Sequence, residues 1–296
     1  MNLVAIVLAY NEEKHIVRCI NSIKKITNNI VVVDCFSTDE TVTLAKNNGA
    51  AVLQNEWVNH SVQFNWALKK INQKYDWIIR VDADEYLTCD LCAEINTKLP
   101  NISKSVSGIY LRRNIIFQNS LLRYGGVSNL PVLRLFRNGE GICEDRWMDE
   151  HINIKGRKIY FSNDLIDHNL NSLEWWIDKH NQYSNKEALE ILDLKYDILL
   201  RNRQNRKHNS RPKSWIKERV FIKLPHGYRS LLYFIYRYII LFGFLDGRSG
   251  FAFHFLQGFW YRYLVDAKVD EVNRYLNQHK NFSANQAVKK FLNIEL

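Results

Sequence analysis

The chain has little of what loosens or cross-links a protein. Four prolines and twelve glycines in 296 residues leave no Pro- or Gly-rich linker, and the sequence shows no internal repeat. Five cysteines, Cys19, Cys35, Cys89, Cys92 and Cys143, form an odd set in apolar or helical settings. That argues against a dense disulfide framework and suits free thiols in a reducing compartment. Cys89 and Cys92 make a C-x-x-C without the second pair or nearby histidine of a zinc site. Leu3 opens an apolar run with no basic leader or signal-peptide core before it, so a cytoplasmic protein is expected. The most apolar run, residues 230–245, contains Arg237 at its middle and falls short of the roughly twenty apolar residues of a membrane span.

What is present describes a folded protein with a localised charge. Hydrophobic residues make up 46% and aromatics 13%, which excludes a disordered chain. The net charge is +10. Residues 201–230 hold ten Lys and Arg against Glu218 alone, a balance of +9, so nearly the whole excess points to one anionic partner.

Apolar runs set the expected elements. Strands are expected at residues 3–8, 30–33, 50–53 and 77–81, and helices at 11–26, 38–48 and 61–71. Thr38 or Ser37 should cap the second helix, with Asp39 in its first turn and Gly49 ending it. Strands alternating with helices predict an α/β fold with a doubly wound, mostly parallel sheet. Ligands of such sheets sit beyond the carboxyl ends of the strands. Asn11, Asp34 and Asp84 follow three of those ends.

The fourth run ends in Asp82, Asp84 and Glu85. Side chains two apart on a strand point to one side, so Asp82 and Asp84 repel unless a partner intervenes. A hard divalent cation, Mg²⁺ or Mn²⁺, suits all-carboxylate ligation; an acidic loop facing water is the plainer alternative.

Taken together, AYNEE at residues 9–13, VVVDCFSTDET at 31–41 and DADE at 82–85 resemble the family 2 glycosyltransferases of the GT-A fold. LPVLRLFRNG at 130–139, MDEHINI at 148–154 and DHNLNSLEWWIDKHNQYSNKEA at 167–188 extend the resemblance. The closest branch is that of bacterial lipopolysaccharide-core and O-antigen sugar transferases. The chain departs from it at Cys35, Phe36 and Glu40, and at Asp149-Glu150 where His-Glu is common. The resemblance implies an inverting transfer from a nucleotide-sugar, UDP-linked, to a glycan or lipid-linked acceptor. It implies that Ala9, Tyr10, Asn11, Glu12, Asp34 and Asp82 line the nucleotide, and that Asp84 and His168 hold Mn²⁺ or Mg²⁺. It makes Glu150 the general base, with Asp149 the alternative. Glu85, His151, Lys179 and Tyr183 are candidates for acceptor or phosphate contacts. Arg112, Arg113, Arg134 and Arg137 would suit an anionic acceptor or simply face water.

A catalytic domain over residues 1–190 and a basic, helical, aromatic-rich region over 191–296 are therefore expected. The second would bind an anionic membrane surface, at the cytoplasmic face of the inner membrane. Rival readings are nucleotidyl transfer, for which AYNEE lacks the glycine-rich basic phosphate loop, and nucleic-acid binding through residues 201–229, where few aromatics are available to stack.

Overall fold

The computed structural model describes residues 2–71, 74–144, 151–199 and 227–294. They divide into a sheet unit, residues 1–123 and 127–171, and a helical unit, residues 124–126 and 172–296. The boundary falls at residue 171 rather than at 190, because the helix that opens the second unit runs unbroken from Leu173 to Tyr196.

In the sheet unit, β1 (Leu3–Ala9), β2 (Ile30–Asp34), β3 (Ala51–Gln54) and β4 (Trp77–Asp82) are all parallel, in the order β3-β2-β1-β4. Helices α1 (Ile16–Ile23), α2 (Thr41–Asn47) and α3 (His60–Lys70) connect them. Every residue of β1 is buried, as expected of a strand covered on both faces. One face packs α1 through Ile16, Ile20 and Ile23; the other packs α3 through Phe64 and Ala67. Helices α1 and α2 begin later than the sequence suggests. Asn11 takes a left-handed backbone (φ 54°), and the α2 helix starts at Thr41 because Asp39 turns its carboxylate back onto the Thr41 N–H.

Beyond β4 the sheet becomes mixed. β5 (Glu85–Leu87) and α4 (Cys89–Lys98) are followed by β6 (Val106–Phe117), β7 (Ser120–Leu122), β8 (Leu130–Arg137), β9 (Gly141–Cys143), β10 (Ile152–Ile154) and β11 (Arg157–His168). β8 is antiparallel to both β4 and β6, β11 is parallel to β6, and β5 is antiparallel to β11; β9 and β10 form a separate hairpin. β4 and β5 lie at separate places in the strand order, yet Ala83 and Asp84 alone connect them. Two residues span less than about 8 Å, so the far edge of the sheet curls back against the end of β4. The D-A-D motif sits at that closure.

The helical unit contains α5 (Leu173–Tyr196), α6 (Tyr228–Ile235), α7 (Gly247–Phe253), α8 (Tyr261–Gln278) and α9 (Ala284–Leu292). π-helical turns at Tyr236–Ile240 and His254–Trp260 continue α6 and lead into α8. Its core joins α5, α8 and α9 through Leu189, Leu192, Val265, Val272 and Val288. No single helix among the described residues is long and apolar enough to cross a membrane, but the bent pair Tyr228–Ile240 and Gly243–Gln278, at 73°, passes that test together.

Candidate active site

The parallel register sets the site. Ala9 pairs with Asp34 and Leu8 with Asp82, so the ends of β2 and β4 flank the end of β1. Asn11, Asp34 and Asp82–Glu85 are thereby gathered at the carboxyl edge, where ligands of parallel sheets bind.

The loop after β1 is held by its own polar groups. The Asn11 N–H donates to Ser37 Oγ (2.9 Å) and its Oδ1 accepts from the Thr38 N–H (2.9 Å). The Glu12 N–H donates to Thr41 Oγ1 (2.7 Å) and the Glu13 N–H to Asp39 Oδ2 (3.1 Å). Asp39 thus joins the two loops, a structural role. Asp34 is buried and accepts from the Ser37 N–H (3.0 Å), from the Ser37 hydroxyl and from Gln54 Nε2 (3.1 Å). Ala9 is buried, whereas Tyr10 presents its ring to solvent. Glu12 meets His15 Nδ1 at 2.5 Å, and the other nitrogen of this buried histidine accepts from the Leu170 N–H at 2.8 Å.

Around the D-A-D motif, acids and guanidinium groups interlock. Arg134 on β8 is buried and donates through Nη2 to Asp82 (2.6 Å) and Glu85 (2.5 Å), and Arg80 Nε reaches Asp82 at 3.2 Å. Burial opposes ionisation of Asp82, but Arg134 and Arg80 overcome it and hold the carboxyl well below the usual range. Burial dominates at Glu85, which is pushed up. Arg134 was not expected here. Its partners lie some fifty positions upstream, and nothing local in LPVLRLFRNG marks it as buried. The other arginines also turn inward: Arg112 pairs with Asp164, Arg113 approaches Asp167 (3.9 Å), and Arg137 stacks on Trp77 (4.4 Å) while donating to the Val106 carbonyl. None of the four is simply a solvated charge.

A second cluster ties β11 to the motif. Arg18 of α1 donates to the carbonyls of Asp84 (3.1 Å) and His168 (2.5 Å) and to His168 Nδ1 (3.1 Å). Asn169 Nδ2 donates to Asp84 Oδ2 at 3.1 Å. Arg18, Asn169 and Asp167 were missed from sequence, where Arg18 reads as one more charge on a helix surface. Asp167 is pushed up to about 7, first by burial and then by Asp84, Glu85 and Asp82. Arg113 opposes that rise without cancelling it.

For a divalent cation the described side chains offer only a partial set of donors. Asp84 would hold it, with Asp82 nearby but engaged by arginines; when bound, the ion would supply neutralisation of diphosphate charge. His168 fits less well as a ligand. A guanidinium always donates, so Nδ1 accepts and the neutral ring carries its proton on Nε2. Burial, Arg18 and His15 also lower its pKa. The ring as placed is a hydrogen-bond donor, and metal ligation would require it to let go of Arg18. The described residues contain no group of three or more His, Cys, Asp or Glu able to hold a metal among themselves.

Asp149 and Glu150, the expected bases, lie outside the described residues. The flanking hairpin is described: the Glu144 N–H donates to the His151 carbonyl (2.9 Å), and His151 is exposed. Lys179 and Tyr183 belong to the helical unit, on α5. There the Lys179 ammonium lies over the rings of Trp175 (4.4 Å) and Tyr183 (5.8 Å). All five cysteines are free, and Cys89 alone is exposed.

Residues 4–120 match the model of glycosyl transferase family 2. That stretch is similar to the family 2 glycosyltransferases. Among curated relatives, an uncharacterized glycosyltransferase of Rickettsia typhi is 42% identical over 89 residues, covering 30% of each chain. The SPbeta prophage-derived glycosyltransferase SunS of Bacillus subtilis is 37% identical over 82 residues, 26% of this chain and 19% of that one. The chain thus spans less than a third of the length of these relatives. Among solved structures, glucosyl-3-phosphoglycerate synthase of Mycobacterium tuberculosis, crystallised with Mn²⁺, UDP and glucosyl-3-phosphoglycerate, is 18% identical over 38% of this chain and 44% of that one, with a TM-score of 0.33. So slight a likeness carries no argument. The matched stretch covers the four parallel strands and the D-A-D motif, and it ends at Ser120, the first residue of β7.

Proposed function

We propose that the protein is an inverting, metal-dependent glycosyltransferase that moves a sugar from a nucleotide-sugar, UDP-linked, to a glycan or lipid-linked acceptor in bacterial cell-surface polysaccharide or lipopolysaccharide synthesis. The observation that supports it best is the register that sets Asp34 and Asp82 on either side of the end of β1, with Asp84 in the turn that follows. The exposed Tyr10 ring and the Asn11 loop would receive the base and ribose. Asp84 would carry Mn²⁺ or Mg²⁺ against the diphosphate, and His168 would offer its Nε2 proton to a phosphate oxygen. Glu150, or Asp149, would take the proton from the acceptor hydroxyl. Work at the cytoplasmic face of the inner membrane, on an anionic surface, is part of the same proposal, and the +9 balance of residues 201–230 supports attraction to such a surface.

The experiment is a thermal-shift and UDP-release screen of nucleotide-sugars with and without Mn²⁺. A rise in Tm for one UDP-sugar that requires the metal is expected, and silence across all nucleotides would overturn the reading. Asp84→Asn should lower turnover by on the order of a hundredfold or more.

A further inference from the structure

In the helical unit the usual arrangement of a surface helix is reversed. Leu231, Leu232, Ile235, Tyr236, Ile239 and Ile240 are exposed, and their spacing of three and four places them on one stripe. The buried residues of the same stretch are polar: Ser230 and Arg237. Arg237 is 5% exposed and points inward, donating to the Gly125 carbonyl (3.1 Å) and to Gln257 Oε1 (2.7 Å). Neighbouring charges are paired, Arg229 with the buried Asp266 and the half-exposed Arg262 with Glu187.

The apolar surface continues past the stripe. Phe242, Phe244 and Leu245 are exposed in the next turn, and Phe251, Phe255 and Tyr263 further on. Rings pack on one another along this surface, Phe251 against Phe255 at 5.8 Å and Phe259 against Tyr263 at 6.1 Å. An exposed apolar surface of this kind marks an interaction site.

We propose that the surface formed by α6, the turn at 242–245 and α7 is embedded in the headgroup–acyl boundary of an anionic bilayer, as a bent insertion that does not cross it. The proposal deepens the membrane reading above and rests on it. Three observations favour a bilayer over a second copy of the chain. The stripe carries Tyr236, and Tyr228 and Tyr263 are exposed beside it; the ring and hydroxyl of tyrosine suit the interface depth. The helix pair passes the test for a span only when taken together across its 73° bend, which is the shape of a dip. The surface also carries a cation, the exposed Arg248, whereas Arg229 and Arg262 are paired with Asp266 and Glu187.

The test is sedimentation of the full chain with vesicles of phosphatidylcholine alone or with phosphatidylglycerol. Retention should need the anionic lipid and should persist in part at about 1 M salt, where the Debye length falls to about 3 Å. Ile240→Asp with Leu245→Asp should weaken retention by about tenfold or more while leaving the metal-dependent nucleotide shift in place. Equal retention of the double variant, or complete release of the parent chain by salt, would overturn the proposal. So would a salt-stable dimer on light scattering that the double variant dissolves, which would assign the face to a second copy. If circular dichroism shows the double variant unfolded, retention of the parent chain at high salt decides alone. A chain that binds vesicles but shows no nucleotide shift would fail as a glycosyltransferase and keep its lipid face.

Discussion

The two units solve burial in opposite ways. In the sheet unit the apolar side chains are inside and the charged ones collect at the strand ends. In the stretch of the helical unit from Tyr228 to Tyr263, arginines and a histidine turn inward while leucine, isoleucine and phenylalanine face out. A polar group tolerates burial where partners satisfy it, as Gly125 and Gln257 do for Nε and Nη1 of Arg237, whereas its Nη2 and both ring nitrogens of His254 are buried with no hydrogen-bond partner among the described residues. The outward apolar surface has no such account in water. The comparison teaches that hydropathy alone does not tell inside from outside; the direction in which the polar groups turn does.

Breaking the buried ion cluster of the sheet unit should have the largest effect. Arg134→Met leaves Asp82 and Glu85 facing each other without their shared guanidinium, and a loss of about 3–5 kcal/mol is expected. Hydrogen exchange should show it over β1, β4 and β8 and leave α5, α8 and α9 protected as before. Uniform loss over both units would mean that they are not separable.

One substitution made in both units sharpens the contrast. Ile6 is 0% exposed and Ile240 is 59% exposed. Ile6→Ala should cost about 2–5 kcal/mol, and Ile240→Ala should stay within about 0.5 kcal/mol in detergent-free buffer. Urea titration reads both. A similar cost at the two positions would mean that Ile240 is covered in solution.

The last contrast is one of pH. Burial, helped by Arg237, lowers His254 to about 4, and burial, helped by Lys179, lowers His180 to about 4. Both lie below the unfolded value of about 6.5. Between those limits the unfolded chain binds more protons, so stability is full above about 6.5 and falls as pH drops toward 4. Exchange protection in the helical unit should decline over that window. His254→Gln should flatten the decline, and an unchanged profile would remove His254 as its source.

The four parallel strands were legible almost to the residue, since a run such as LVAIVL has nowhere to go but a buried strand. Helix starts were not. Asn11 and Asp39 look like ordinary helix-opening residues, but their side chains bond each other's loops, and the helices begin only after those bonds are made. β5 to β11 went largely unread because antiparallel pairing depends on partners far away in sequence. At the site, Asp34, Asp82 and Asp84 were found from strand ends. Arg134, Arg18 and Asp167 were not, since each owes its place to contacts across fifty residues or more. The arginines between the D-A-D motif and residue 139 were read as open to water or acceptor. Arg134 is buried and Arg112, Arg113 and Arg137 are half-buried, because the curled sheet puts an acid or a ring in front of each.

Arg18 has a mechanical meaning. By gripping the carbonyls of both Asp84 and His168, one helix side chain rivets the turn after β4 to the tip of β11. An ion or phosphate that draws Asp84 by a fraction of an ångström would carry that tip with it, so the two banks of the cleft would tighten as one.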